Sequence, residues 1–307
     1  MNCRLASAIV LVMLAVRPAS ADPVPEPAPE PAPPRHRAAA ALALGGAYVT
    51  WGVAEWLVLY RDKPRLPFTT GDEGWFSDRS YAGGADKFGH FWANLAYGRI
   101  GTEVLRAGGW DALPASALGA GLSFTFFSLV EVKDGLFHVF SYSDLTADAV
   151  GALVGMVMDN SPALDDALDV RVQWFPSKQY RRPGNTTFFV EDYSGQSYLL
   201  ALKPRALRAV REGRWSVRWL ELINPVIGFQ SRGYKPPPPP PETQPRKQEL
   251  FLGLTIDLQA LSDELLGGAT SRPGRWGHKV AHTLTEYVNA PFTTLQAEIA
   301  SRSPDPQ

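Results

Sequence analysis

The stretch DKFGHFWANLAYG, Asp86 to Gly98, decides how this chain is read. It lies between two long apolar segments, 38–60 and about 113–131, yet it opens on Asp86 and Lys87 and carries His90 one helical turn later. On a helix, Asp86, His90 and Asn94 fall at i, i+4 and i+8, so they share one stripe, which Tyr97 extends. A charge at the middle of a bilayer costs roughly 2.5–3.5 kcal/mol, so such groups must be paired, hydrated or near an interface. A helix from about Asp86 to Arg106 is expected. Arg99, Glu103 and Arg106 make it too polar for a simple membrane span, which favours burial within a bundle or a place along its interface.

The flanking segments set the class of fold. Ala38 to Tyr60 has the length of a spanning helix, with Glu55 as its one charge. Trp51, Trp56 and Tyr60 crowd its far half, and Arg61, Lys63 and Arg65 follow, as at a membrane interface. A third helix is expected from Leu113 to Glu131. A fourth starts near Ser143, where Ser143 and Asp144 supply N-cap chemistry, and runs to Asp159. Ala147, Gly151 and Gly155 repeat at four-residue spacing, which lets a neighbouring helix come close.

After Ser161 short alternating runs replace the long apolar ones: Val170 to Phe175, Thr186 to Leu202, Asn224 to Tyr234 and Leu250 to Leu258. The second reads as a hairpin turning at Ser194-Gly195, and Pro236 to Pro241 as a stiff loop. Four strands are too few for a membrane barrel. Gly274 to Ile299 reads as helical at its start. The expected fold is mainly α, a small membrane-associated helical bundle (38–160) followed by a smaller α+β part with short antiparallel strands and a C-terminal helix (161–307).

The N-terminal end reads as targeting sequence. Arg4, the apolar run Leu5 to Val16 and the small residues Ala19 to Ala21 suit a signal peptide at 1–21, and 22–37 is a Pro-rich spacer. Cys3 does not follow a lipobox, and cleavage would leave no cysteine, which excludes disulfides and thiol chemistry. Loss of Arg4 and Arg17 from the 30 basic residues, against 31 acidic ones, gives a formal charge of −3. No basic patch suits nucleic acid. The expected location is the bacterial envelope, at the inner membrane, with the C-terminal part facing the periplasm. The sequence leaves the oligomeric state open.

A second polar stretch, EVKDGLFHVFSYSD, runs from Glu131 to Asp144. Glu131 and Asp134 are i, i+3, and His138 follows Asp134 at i+4; Asp144 and Asp148 share a face of the fourth helix. If the helices pack side by side, Asp86, His90, Glu131, Asp134, Asp144 and Asp148 converge. In the functional reading His90, Asp86, Glu131 and Asp144 are catalytic, with Lys87, Asn94, Asp134, His138, Ser143 and Asp148 as ligand-binding groups. Histidine titrates near neutrality, and His with Asp or Glu also suits a divalent metal. In the structural reading Lys87 pairs with a carboxylate and the other groups cap helix ends. His278, His282 and Glu286 form a further stripe, explained equally by an amphipathic helix.

The motifs DKFGHFWANLAYG, FSLVEVKDG and SYSDLTADAVGALVG resemble the YfiM-like family of predicted periplasmic lipoproteins of unknown function. That family resembles VanZ-like membrane proteins, which share an Asp-Lys-x-x-His helix, a Glu, and an Asp followed by a small-residue helix. The resemblance covers about Asp86 to Asp159 and falls on Asp86, Lys87, His90, Glu131, Asp134, Gly135, Ser143 and Asp144. The missing lipobox and Asp148, where many members have Asn, depart from it. It implies an envelope protein with an interfacial or intramembrane polar site, and no particular reaction. Two functions are expected to compete. One is a non-enzymatic envelope protein that binds a membrane lipid or envelope component or has a structural role. The other is a membrane-embedded hydrolase or transferase for an amphiphilic substrate, metal-assisted or not, with His90 as general base.

Overall fold

The computed structural model describes residues 34–77, 80–185, 187–204, 220–236 and 245–303. The signal peptide, most of the spacer and most of the proline run lie outside the described residues.

The bundle comprises α1 (Pro34–Glu55, continued by a π-helical turn at Trp56–Tyr60), α2 (Ala85–Ala107), α3 (Ala112–Phe137) and α4 (Tyr142–Asp159). α2 is the central element and packs along both α3 and α4. Glycines make these approaches possible. A Cβ on Gly119 would stand 2.6 Å from the Gly98 carbonyl oxygen, and one on Gly151 2.2 Å from that of Phe91. The small-residue spacing on α4 therefore serves α2, whose Leu95 and Leu105 are fully buried and contribute about 1.5–3 kcal/mol each.

α1 lies against this core through Leu44, Tyr48 and the Glu55–Lys133 ion pair at 2.7 Å. Its outer side is apolar and open, with Leu42 and Val58 76% and 77% exposed. α3 presents Leu113 and Leu129 outward, and α4 presents Val150, Leu153 and Val157. α1 with its π turn and α3 are long and apolar enough to cross a membrane, by length and composition.

Next come a short helix, α5 (Pro162–Ala167), and a six-stranded sheet. A separate two-residue pairing joins β1 (Thr70–Gly71) to β2 (Phe140–Ser141). The sheet contains β3 (Leu168–Trp174), β4 (Gln196–Leu202), β5 (Ile223–Arg232), β6 (Lys247–Ile256), β7 (Val288–Asn289) and β8 (Thr294–Arg302), in the order β7-β3-β4-β5-β6-β8. Between β6 and β7 stand α6 (Leu258–Leu266) and α7 (Arg272–Tyr287).

The sheet curls until its two edges meet. Asn289 Nδ2 donates to Thr294 Oγ1 at 3.1 Å, and Thr294 Oγ1 donates to Gln173 Oε1 at 2.9 Å. One face encloses Leu199, Ala201, Val226 and Phe251. It also holds a buried polar knot in which Arg171 and Lys203 flank Asp169 at 2.5 Å each, and Asn224 donates to Asp257 at 2.8 Å. The opposite face packs on the bundle. Phe88 and Trp92 meet Val172, Tyr198 and Phe229, with the Phe88 and Tyr198 rings stacked at 5.8 Å.

The mainly α reading stands, but the sheet departs from its all-antiparallel expectation. β7 runs parallel to β3, as β1 does to β2. The helix expected at the start of 274–299 is present as α7, which ends at Tyr287 ahead of Ala290-Pro291, and β7 and β8 take the rest. The hairpin over 186–202 is also replaced. Among the described residues of that run only Gln196–Leu202 forms a strand, while Phe189–Glu191 and Tyr193–Gly195 form 3-10 turns. Asp192 fixes that bend by accepting from Trp174 Nε1 and the Ser177 amide.

Arg99 joins the two parts. Its guanidinium reaches Asp159 at 2.8 Å, Glu286 at 2.6 Å and Asp165, and lies over the Tyr287 ring. It therefore links α2, α4, α5 and α7.

Candidate functional site

The polar residues of α2, α3 and α4 meet in two linked knots. The first surrounds Lys87. Its Nζ stands 2.6 Å from Asp144, 2.9 Å from Asp86 and 3.6 Å from Glu73. The ammonium is 2% exposed, so this cation is enclosed by carboxylates rather than by water. Burial alone would lower the Lys87 pKa, but Asp86 and Asp144 outweigh it and hold it raised. Burial pushes Asp144 up, yet His90 and Lys87 outweigh that and leave it below its ordinary value. Glu73 is pushed up to about 7, chiefly by burial and then by the neighbouring Asp144 charge. Lys87 and Asp144 form an ion pair, and burial with the Asp144 charge shifts Glu73 toward its protonated form.

The second knot surrounds His90. Nδ1 lies 3.0 Å from Asp148 Oδ1, and Nε2 lies 3.7 Å from Glu131 Oε1. Asn94 Nδ2 donates to the same Asp148 oxygen at 2.5 Å, and Ser123 Oγ donates to Asn94 Oδ1 at 3.2 Å. Glu131 Oε2 accepts from the Ser141 amide at 3.1 Å. Burial opposes protonation of His90, but Asp148, Asp144 and Glu131 outweigh it and raise its pKa to about 10. The ring is an imidazolium at neutral pH, held from both sides.

Local sequence explains the placement. Gly84, at φ +85, turns the chain into α2, so Asp86 falls in the first turn, where a carboxylate favours the helix dipole. Ser141 caps α4 by accepting from the Asp144 amide at 3.3 Å. The expected cap, Ser143, instead sits inside the first turn and shares a hydroxyl hydrogen bond with Ser141 at 3.0 Å. The β1–β2 pairing anchors the preceding loop beside the end of α3 and brings Glu73 to Lys87.

The structure brings together Asp86, Lys87, His90, Asn94, Glu131, Ser143, Asp144 and Asp148. Two expected members are elsewhere. Asp134 faces Lys133 at 3.4 Å, on the side toward α1. His138 ends α3 as an exposed C-cap residue. Three residues that face Lys87 and His90 or brace their partners were missed. Glu73 was one of several acidic loop residues with no periodicity to single it out. Ser123 and Ser141 looked like ordinary polar residues on an apolar helix and in a turn.

Both knots have the donor types of a metal site, but their chemistry disfavours one. The Glu73–Asp86–Asp144 set already encloses an ammonium. In the other set Asn94 already donates to the Asp148 oxygen that faces the imidazole. A cleft of about 140 Å³ adjoins Lys87, lined by Trp75, Phe76, Phe88, Phe91, Ala147 and Val150.

One consequence concerns pH. The folded-state pKa of His90 lies above its unfolded value, so its contribution is complete below about 6.5 and is lost as pH rises through about 10. Glu73, also raised, loses stability from about 4.5 to about 7, in the same direction. Between pH 7 and 9 wild-type protein is expected to lose more stability than His90→Gln, by about 2 kcal/mol from the imidazole itself. Denaturant midpoints at the two pH values check this; parallel losses in the two proteins would contradict it.

The fold and site define a class: a helical bundle around a buried charge network, backed by a curled sheet. Residues 72–160, which hold the whole network and α2 to α4, match the model of a family described as a predicted periplasmic lipoprotein, DUF2279. That description supports a periplasmic location and assigns no activity. No curated protein matches the chain, and no solved structure matches it.

Proposed function

We propose that the chain is a non-enzymatic envelope protein of the YfiM-like type, related to VanZ-like proteins, that binds an amphiphilic envelope component. In this reading α1 and α3 cross the inner membrane, and the sheet part faces the periplasm. The occupant enters the cleft between α2 and α4 with an apolar chain, and its head carries a hydrogen-bond donor.

The observation that carries this reading is mutual saturation of the acid–base groups. His90 faces a carboxylate at each ring nitrogen, and Lys87 faces three. A general base needs an unprotonated imidazole. His90, with its pKa raised to about 10, is not poised for that role at neutral pH. The adjacent cleft supports binding instead: aromatic and aliphatic groups line it, as an apolar chain requires. Asp86 Oδ1, on the residue that pairs with Lys87 beside the cleft, is a buried acceptor without a hydrogen-bond donor among the described residues. Unsatisfied buried acceptors favour a head that donates, an ammonium or a hydroxyl.

Lipid retained through purification tests the reading. Wild-type protein extracted in mild detergent is expected to carry an amphiphile visible by native mass spectrometry, and Val150→Trp, at the exposed rim of the cleft, to lose it while staying folded. Equal retention by a folded Val150→Trp, or none by wild type, would sink the proposal.

A further inference from the structure

α6 and α7 form a helical hairpin outside the segment matched by the family model. His278 and His282 lie one turn apart on α7 and face one carboxylate of α6. His278 Nε2 and His282 Nδ1 each stand 2.7 Å from Asp263 Oδ1. Glu286, the third member of the stripe in the sequence, does not join them, because it is turned inward onto Arg99 at 2.6 Å. The three side chains are 28%, 39% and 36% exposed, so solvent ions reach them.

We propose that Asp263, His278 and His282 form a binding site for a divalent transition-metal ion, with Zn2+ the best chemical fit. The donor set is two imidazoles and one carboxylate, with an open side for water. Donors around Zn2+ stand roughly 3.0–3.5 Å apart, so the set needs to open by about half an ångström. The side chains come from two adjacent helices, and that movement needs only rotamer adjustment.

The surroundings support a ligand role. The amide of Gln259 lies 3.1 Å from His282 Nε2, the ring nitrogen facing away from the carboxylate. A half-turn of that amide lets its oxygen accept the Nε2–H of an imidazole that ligates through Nδ1, the usual way a neighbouring group orients a ligating histidine. The contrast with the Lys87 knot is chemical: that set encloses an ammonium, whereas among the described residues no lysine or arginine pairs with Asp263.

The test uses the full chain in detergent, stripped with chelator and titrated with Zn2+ by calorimetry, with Co2+ absorption as a second readout. Wild type is expected to bind one equivalent. His278→Gln/His282→Gln and, separately, Asp263→Asn are expected to weaken binding by at least ~100-fold and ~10-fold. His138→Gln, an exposed imidazole elsewhere, is expected to leave binding unchanged. Circular dichroism checks that each variant keeps its helices. Failure of wild type to bind Zn2+ stoichiometrically overturns the proposal, as does binding that survives the double substitution at full affinity. Because α6 and α7 lie apart from the lipid cleft, either outcome leaves the lipid-retention result independent.

Discussion

Replacing Lys87 with methionine is expected to lower the stability of the folded chain by about 3–5 kcal/mol. The side chain is 2% exposed and stands within 3.6 Å of Glu73, Asp86 and Asp144. Methionine fills much the same volume, so the loss is electrostatic rather than a cavity effect. The carboxylates would face one another in a place from which water is largely excluded, and must take up protons or repel. Lys87→Met/Asp144→Asn is expected to recover part of the loss, since it removes the carboxylate that carries the charge. Guanidinium unfolding in detergent, followed by tryptophan fluorescence, measures both. A loss under ~1 kcal/mol for the single variant would mean that the ammonium is not what holds this knot together.

Arg99→Leu is expected to cost about 3 kcal/mol or more and to weaken the junction between bundle and sheet. Arg99 holds Asp159 and Glu286, whose side chains are only 8% and 9% exposed, and Asp165, which is 43% exposed. Asp165 can turn to solvent after the substitution, but the other two cannot do so without moving α4 or α7. The distinctive result is a change of cooperativity. Wild type is expected to unfold in one transition, and Arg99→Leu in two, as helix and sheet signals separate. A single unshifted transition would show that the apolar contacts around Trp92 and Tyr287 suffice. Arg99→Lys is expected to recover little, because an ammonium cannot reach three carboxylates from three elements as the guanidinium fork does.

The two substitutions differ in what they say about legibility. Asp86, His90 and Asn94 were readable as one stripe and Asp144 and Asp148 as another, because helical periodicity puts side chains four apart on one face before any coordinates exist. Arg99 was readable only as a nuisance, a cation too polar for its segment. Its partners lie 60 residues or more along the chain at Asp159, Asp165 and Glu286, and nothing local links them. Asp134 and His138 show the reverse error. Their spacing from Glu131 was correct for a helix, but they lie near its end, where Asp134 faces toward α1 and His138 serves as the C-cap.

The sequence alone determined the helices of the bundle, through long apolar runs, and the small-residue face of α4 and the polar stripe of α2, through a repeat of three to four residues. It also determined that ionisable groups on apolar segments had to find partners, because the cost of leaving them unpaired exceeds what a helix can absorb. Only the tertiary structure decided which partners: Glu73 from a loop, Ser141 from a turn, Glu286 from the far end of the chain. Only it decided that the strands close into a curled sheet with β7 and β8 at its edges. Those choices rest on long-range pairing, whose energy depends on distance in space, and local pattern carries no record of that distance.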